Sequence, residues 1–121
     1  MNFWTNFTYQ TGWSAGSLTG GAVGAYKVDG DRVSFRGTVV QSGLSGNFPF
    51  VIAVLDSRCC PNRRVYLAVA CAGPATSGAV VQPSLISIDT SGNLNFEGPT
   101  LPGGSTPDLC LDGISYSIVG P

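Results

Sequence analysis

Four connectors rich in glycine, serine and proline, at residues 14–21, 41–47, 73–79 and 98–107, cut this chain into short segments, and within those segments the side chains alternate. A period of two is the pattern of a strand that buries one face and wets the other. The clearest such run, Asp31 to Val40, sets Val33, Phe35, Gly37 and Val39 against Arg32, Ser34, Arg36 and Thr38. Immediately before it, Ala25-Tyr-Lys-Val28 leads into Asp29-Gly30, a pair that accepts the positive φ angles of a type I′ turn. Residues 22–40 are therefore expected to form a hairpin.

The remaining segments read the same way. Arg64 to Cys71 places Val65, Leu67, Val69 and Cys71 on one face and Tyr66, Ala68 and Ala70 on the other, and that second face is small and apolar enough to expect a cover. Ser84 to Asp89 and Asn93 to Glu97 form a hairpin about Thr90-Ser91-Gly92, with Ile86, Ile88, Leu94 and Phe96 inward. Leu109 to Val119 alternates through Ile114, Tyr116 and Ile118 after an expected bulge at Gly113. Seven or eight short strands at this spacing predict an all-β, antiparallel β-sandwich of jelly-roll type. Composition agrees, because 17 glycines and 8 prolines stand beside a single Lys (Lys27), a single Glu (Glu97) and a single Met (Met1) in 121 residues. So few strong helix formers argue against a helical bundle or an α/β fold. One domain is expected over residues 13–121, preceded by an N-terminal arm, residues 1–12, whose Trp4 and Phe7 are apolar for a free end.

Charge narrows the function. A net charge of −1, with 11% of residues charged, lacks the basic footprint that nucleic acid or an anionic membrane requires, and the cluster Arg58, Arg63 and Arg64 is too small to supply it. The N-terminus has neither a positively charged start nor an apolar run, so a soluble, unprocessed chain is expected. Cys59, Cys60, Cys71 and Cys110 fit no C-x-x-C spacing, and without histidine a zinc site would need all four thiolates. They are expected as free thiols, with a Cys60 to Cys71 disulfide as the alternative.

Histidine is absent, so Ser/His/Asp and Cys/His nucleophile arrangements are ruled out. Asp89-Thr-Ser-Gly92 departs from the aspartic-protease sequence and is read as a turn. Asp29 and Asp31 flank Gly30 without the further oxygens that a calcium loop assembles. A paired-carboxylate mechanism would have to draw on Asp29, Asp31, Asp56, Asp89, Glu97, Asp108 and Asp112, of which Asp108 and Asp112, straddling Cys110, are expected to point outward. The expectation is a protein with no catalytic residues, cofactor or metal. Trp13 and Tyr66 are candidate aromatics for stacking on a sugar or for a subunit interface.

Three segments, spread between Trp13 and Ile118, together match a known pattern: Tyr26 to Val39 with its Gly-Asp-Arg-Val and later Arg-Gly, Phe50 to Pro61 more loosely, and Ile86 to Leu94 followed by Leu111-Asp-Gly-Ile-Ser-Tyr-Ser-Ile118. The pattern resembles the small distal domains of bacteriophage tail fibres and minor tail proteins, trimeric β-structured knobs at the virion surface. The resemblance implies a homotrimer whose partners are phage capsid or tail proteins. Family members usually sit at the end of a long shaft, whereas this chain begins at Met1. That difference makes a capsid decoration (cement) protein the leading expectation, gripping the shell through Phe3, Trp4, Phe7 and Tyr9. The alternative is the receptor-binding head of a tail fibre, recognising host surface glycan through exposed aromatics.

Overall fold

The hairpin at the centre of the smaller sheet shows how the turn residues and the alternating runs work together. In a computed structural model, which describes residues 3–15, 23–41, 49–72, 81–98 and 108–119, strands β3 (Ala25–Asp29) and β4 (Arg32–Arg36) pair antiparallel from Ala25↔Arg36 to Asp29↔Arg32. Most of the four Gly/Ser/Pro-rich connectors lies outside the described residues. The two-residue turn is Gly30-Asp31, with φ +63° at Gly30 and, among the described residues, no non-glycine residue at positive φ. Glycine alone at the first central position is the type II′ arrangement, not the expected type I′: once the register places Asp31 second in the turn, only Gly30 has to adopt a left-handed φ.

β1 (Thr5–Asn6) adds to one edge of this hairpin and β11 (Ser115–Ser117) to the other, giving a four-stranded sheet in the order β1-β3-β4-β11. The larger sheet has seven strands in the order β2-β5-β10-β7-β8-β9-β6, built from β2 (Trp13–Ala15), β5 (Thr38–Gln41), β6 (Phe50–Val54), β7 (Val65–Ala72), β8 (Val81–Ile88), β9 (Asn93–Gly98) and β10 (Asp108–Cys110). All pairings are antiparallel. The all-β antiparallel fold anticipated from the alternation is the observed one.

Two of the expected long strands turn out to be shared between the sheets. The run 31–40 breaks at Gly37, leaving β4 in the small sheet and β5 in the large one, and the run 109–119 breaks at Asp112-Gly113 between β10 and β11. The breaks lie side by side. Leu111 N–H donates to the Gly37 carbonyl (2.9 Å), and Gly37 N–H donates to Asp112 Oδ1 (2.8 Å). Gly37 has φ +88°, and a Cβ there would run into the Val23 carbonyl, so only glycine fits this corner. Gly113 is thus part of a corner turn and not a bulge within one strand.

The larger sheet also curls toward closure. Tyr9 bridges to Ala53 on β6, Gln10 N–H donates to the Ile52 carbonyl (2.9 Å), and Trp13 then opens β2 on the opposite edge. The edge-on contact of the Trp13 and Phe96 rings, centroids 6.1 Å apart, links the two edges from inside. Residues 9–13 therefore tie both edges of one sheet together, giving a shape between a sandwich and a barrel. One hydrophobic core lies inside, from Phe7, Val33, Phe35 and Tyr116 of the small sheet to Val39, Ile52, Ile86, Ile88, Leu94, Phe96 and Leu109 of the large one. Each such side chain, fully withdrawn from water, contributes about 1.5–3 kcal/mol.

All four cysteines are free thiols. Burial pushes the Cys59 thiol up to about 12, reinforced by the charge of Asp56, so it stays protonated and unreactive at neutral pH.

Candidate functional site

The outward face of the larger sheet follows from the alternation of its strands, because residues paired across the ladder share a face. Reading the registers, Ala68 stands opposite Leu85, Ala70 opposite both Pro83 and Cys110, and Tyr66 opposite Ser87, which in turn pairs with Asn95. Tyr66, Ala68, Ala70, Pro83 and Leu85 are exposed. The apolar second face of β7, expected to be covered, is therefore open in the single chain. Among the described residues the β8–β9 pairing runs from Ile88↔Leu94 to Leu85↔Gly98 and does not include Pro83. Between these strands lies a shallow cleft of about 400 Å³, lined among others by Ala68, Ala70, Pro83, Cys110, Asp112 and Ile114.

Next to this apolar strip is a polar ledge. Ser87 Oγ donates to Glu97 Oε2 (2.6 Å), Arg64 Nη1 donates to the same oxygen (3.2 Å), and Asn95 Nδ2 donates to Ser87 Oγ (3.3 Å). Arg64 also lies 4.0 Å from Asp89. Tyr66, 55% exposed, stands beside this network. A flat ring edged by a part-exposed carboxylate and guanidinium, with Ser87 and Asn95 buried beneath them, offers stacking and hydrogen bonds to a polyhydroxylated ligand.

The other candidates fall in different places. Trp13 is 6% exposed and belongs to the core, so its ring is closed to ligand. Phe7 is equally buried, stacked on Tyr26 and edge-on to Phe35. Tyr9 is half-buried, its hydroxyl accepting a hydrogen bond from Gly24 N–H (3.0 Å). Of the four residues assigned to the attachment arm, only Phe3 projects freely, at 70% exposure. Trp4 is half-buried with Arg36 (4.4 Å) and Lys27 (5.0 Å) over its ring.

The carboxylates are engaged locally. Asp89 Oδ1 accepts from the N–H groups of Ser91 and Asn93 and so holds the turn 89–93. Burial raises its pKa, but hydrogen bonds from Asn93 and Ser91 more than offset this, and the net shift is downward. Asp56 is held down chiefly by its hydrogen bonds to Arg58 and also accepts from the Tyr26 hydroxyl (3.1 Å). Asp108, expected to point outward, is 3% exposed, while Asp112 uses one oxygen on Gly37 N–H. The two do not form an open pair: Asp108 shares the side of its strand with Cys110, as expected, but is covered there, and the corner turn takes up Asp112.

The Arg64-Glu97-Ser87 network was not foreseen from sequence. Alternation alone puts Ser87, Asn95 and Glu97 on the outward side of their strands, but only the β8–β9 register brings them together.

No family model matches this chain, and no curated protein matches it. Among solved structures, it is similar to the receptor binding protein (gp15) of Listeria phage PSA, with a TM-score of 0.57, 21% identity, and coverage of 96% of this chain and 64% of that one. At that identity the likeness establishes a shared fold and nothing further. The chain spans 64% of the length of that structure.

Proposed function

We propose that this chain is the host-binding head of a bacteriophage tail, located at the virion surface, acting as a homotrimer without catalytic activity and recognising a glycan on the host cell. The observation that carries the reading is the likeness over 96% of the chain to a phage receptor binding protein. Capsid decoration draws less support. Besides the shaft, it rests on an apolar arm gripping the shell, whereas Thr5–Asn6 pairs with β3, Phe7 packs in the core and Tyr9 bridges to β6.

The outward face of the larger sheet supplies what such a head needs. Ala68, Ala70, Pro83 and Leu85 form a strip without charge, which identical copies can cover without burying an unpaired ion. Tyr66 and the Arg64–Glu97 pair remain as a surface for hydroxyl-rich ligand. The test is adsorption. Fluorescently labelled protein should decorate cells of a susceptible strain within a bacterial panel and compete with the phage for them. Binding to purified capsids without adsorption to any strain would overturn the reading in favour of decoration.

A further inference from the structure

The outward face of the small sheet has a different chemistry. Its rows, read from the registers, are Asn6–Ala25–Arg36, Lys27–Ser34–Ser115 and Asp29–Arg32–Ser117. Three of the chain's six cationic side chains, Lys27, Arg32 and Arg36, thus share one face of four short strands. Elsewhere, Arg58 pairs with Asp56, and Arg64 with Glu97 and Asp89. Among the described residues, Lys27, Arg32 and Arg36 form no ion pair, and Arg32 spends one donor on Ser115 Oγ (2.9 Å).

Trp4 gathers two of the three. Arg36 and Lys27 approach its ring to 4.4 and 5.0 Å from the centroid, so one indole holds two like charges near each other. Ala25, on the same face, is completely buried, so the sheet beneath is already covered. Two cations gathered at one ring with no carboxylate between them repel each other, and an anion placed between them relieves that repulsion. The hydroxyls of Ser34, Ser115 and Ser117 stand on the adjoining rows, within the half-exposed part of the same face. Paired cations, an aromatic ring and a line of hydroxyls suit a sugar that carries an acidic group.

We propose that Trp4, Lys27 and Arg36 bind an anionic saccharide, with its carboxylate or phosphate between the two cations and its hydroxyls turned toward Ser34 and Ser115. This site deepens the host-binding reading and rests on it for the source of the saccharide. It is separate from the Tyr66 ledge, which lies on the other sheet and whose own cation, Arg64, is paired to carboxylates.

The full chain is titrated with glucuronic acid, glucose 6-phosphate, glucose and inorganic phosphate, following tryptophan emission and, for variants, heat by calorimetry. Trp13 is buried, so a change in emission reports Trp4. Both acidic sugars should bind saturably, at least ~10-fold more tightly than glucose or phosphate, and weaken as salt rises. The K27Q/R36Q variant should lose at least ~10-fold in affinity for the acidic sugars, W4A should do the same, and R63Q should match the parent. Glucuronic acid without glucose 6-phosphate, or the reverse, identifies the acidic group and still supports the site. Equal response to inorganic phosphate or to glucose, or unchanged affinity in folded K27Q/R36Q, overturns it. Adsorption to cells separates the two readings. If the parent and K27Q/R36Q adsorb equally and no acidic sugar binds, this site fails while the host-binding reading stands. If acidic sugars bind through Lys27 and Arg36 but no strain is decorated, the site stands and the host-binding reading fails.

Discussion

The two sheets meet in one core but show opposite exteriors. On the small sheet, alternation leaves Arg32, Arg36 and Lys27 outward, the last two against Trp4, while on the large sheet it leaves Ala68, Ala70, Pro83 and Leu85. Inside, the two contribute the same kind of side chain, Phe35 and Val33 facing Phe96 and Ile86. Folding needs only the shared interior. The exteriors therefore carry the information about partners: a charged, hydroxylated face suits an anionic ligand, and the uncharged strip of β7 and β8 suits another protein surface.

The contrast depends on the corner where both shared strands change sheets, and Gly37→Ala attacks it most directly. With φ +88° and the Val23 carbonyl in the way, the substitution should cost about 3 kcal/mol or more, read as a drop in the urea midpoint. Next in size, if the chain assembles as the proposed trimer through the apolar strip, Ala70→Arg on the large sheet should convert it to monomers by light scattering, while Ser34→Arg on the small sheet should leave it intact. If both variants assemble as the parent does, the apolar strip is not the self-association face. A smaller effect tests the hairpin of the large sheet that carries Asn95 and Glu97. The lowered pKa of Asp89 means that its carboxylate contributes stability above about pH 4, lost as the pH falls through the folded-state value. Asp89→Ala should cost roughly 1 kcal/mol at neutral pH and flatten the acid limb of the stability profile. The smallest effect on stability is expected from Tyr66→Ala. At 55% exposure it should stay within about 0.5 kcal/mol of the parent while weakening adsorption to cells, which would assign the large sheet's ledge a share of recognition.

Much of this architecture was readable in the residues themselves, and the exceptions have physical causes. Ile86, Ile88, Leu94 and Phe96 are wholly buried as the alternation required, and the 90–92 turn closes as its residues predicted. The runs 31–40 and 109–119 kept their alternation but not their continuity, because a period of two is preserved when a strand bends into a second sheet. A glycine within such a run marks equally a pairing with a close neighbour, a bulge or a corner. What separates these is the opposing backbone, here Val23 at Gly37.

The candidate sites divide on the same line. Tyr66 was visible as an outward aromatic, but its ledge depends on which residues of β8 and β9 stand level with it. Trp13 looked no less available, yet it lies inside because residues 9–13 draw the two edges of the large sheet together. Trp4 was placed with an arm, and only pairing of β1 with β3 brings it over Lys27 and Arg36, which are 23 and 32 positions further along the chain. By itself the sequence determined the all-β class, the hairpin turns and the inward face of nearly every strand, since these depend on local conformation and on a two-residue period. Only the tertiary structure decided which strands change sheet, which aromatics face water and which charges gather, because those depend on contacts between residues far apart in the chain.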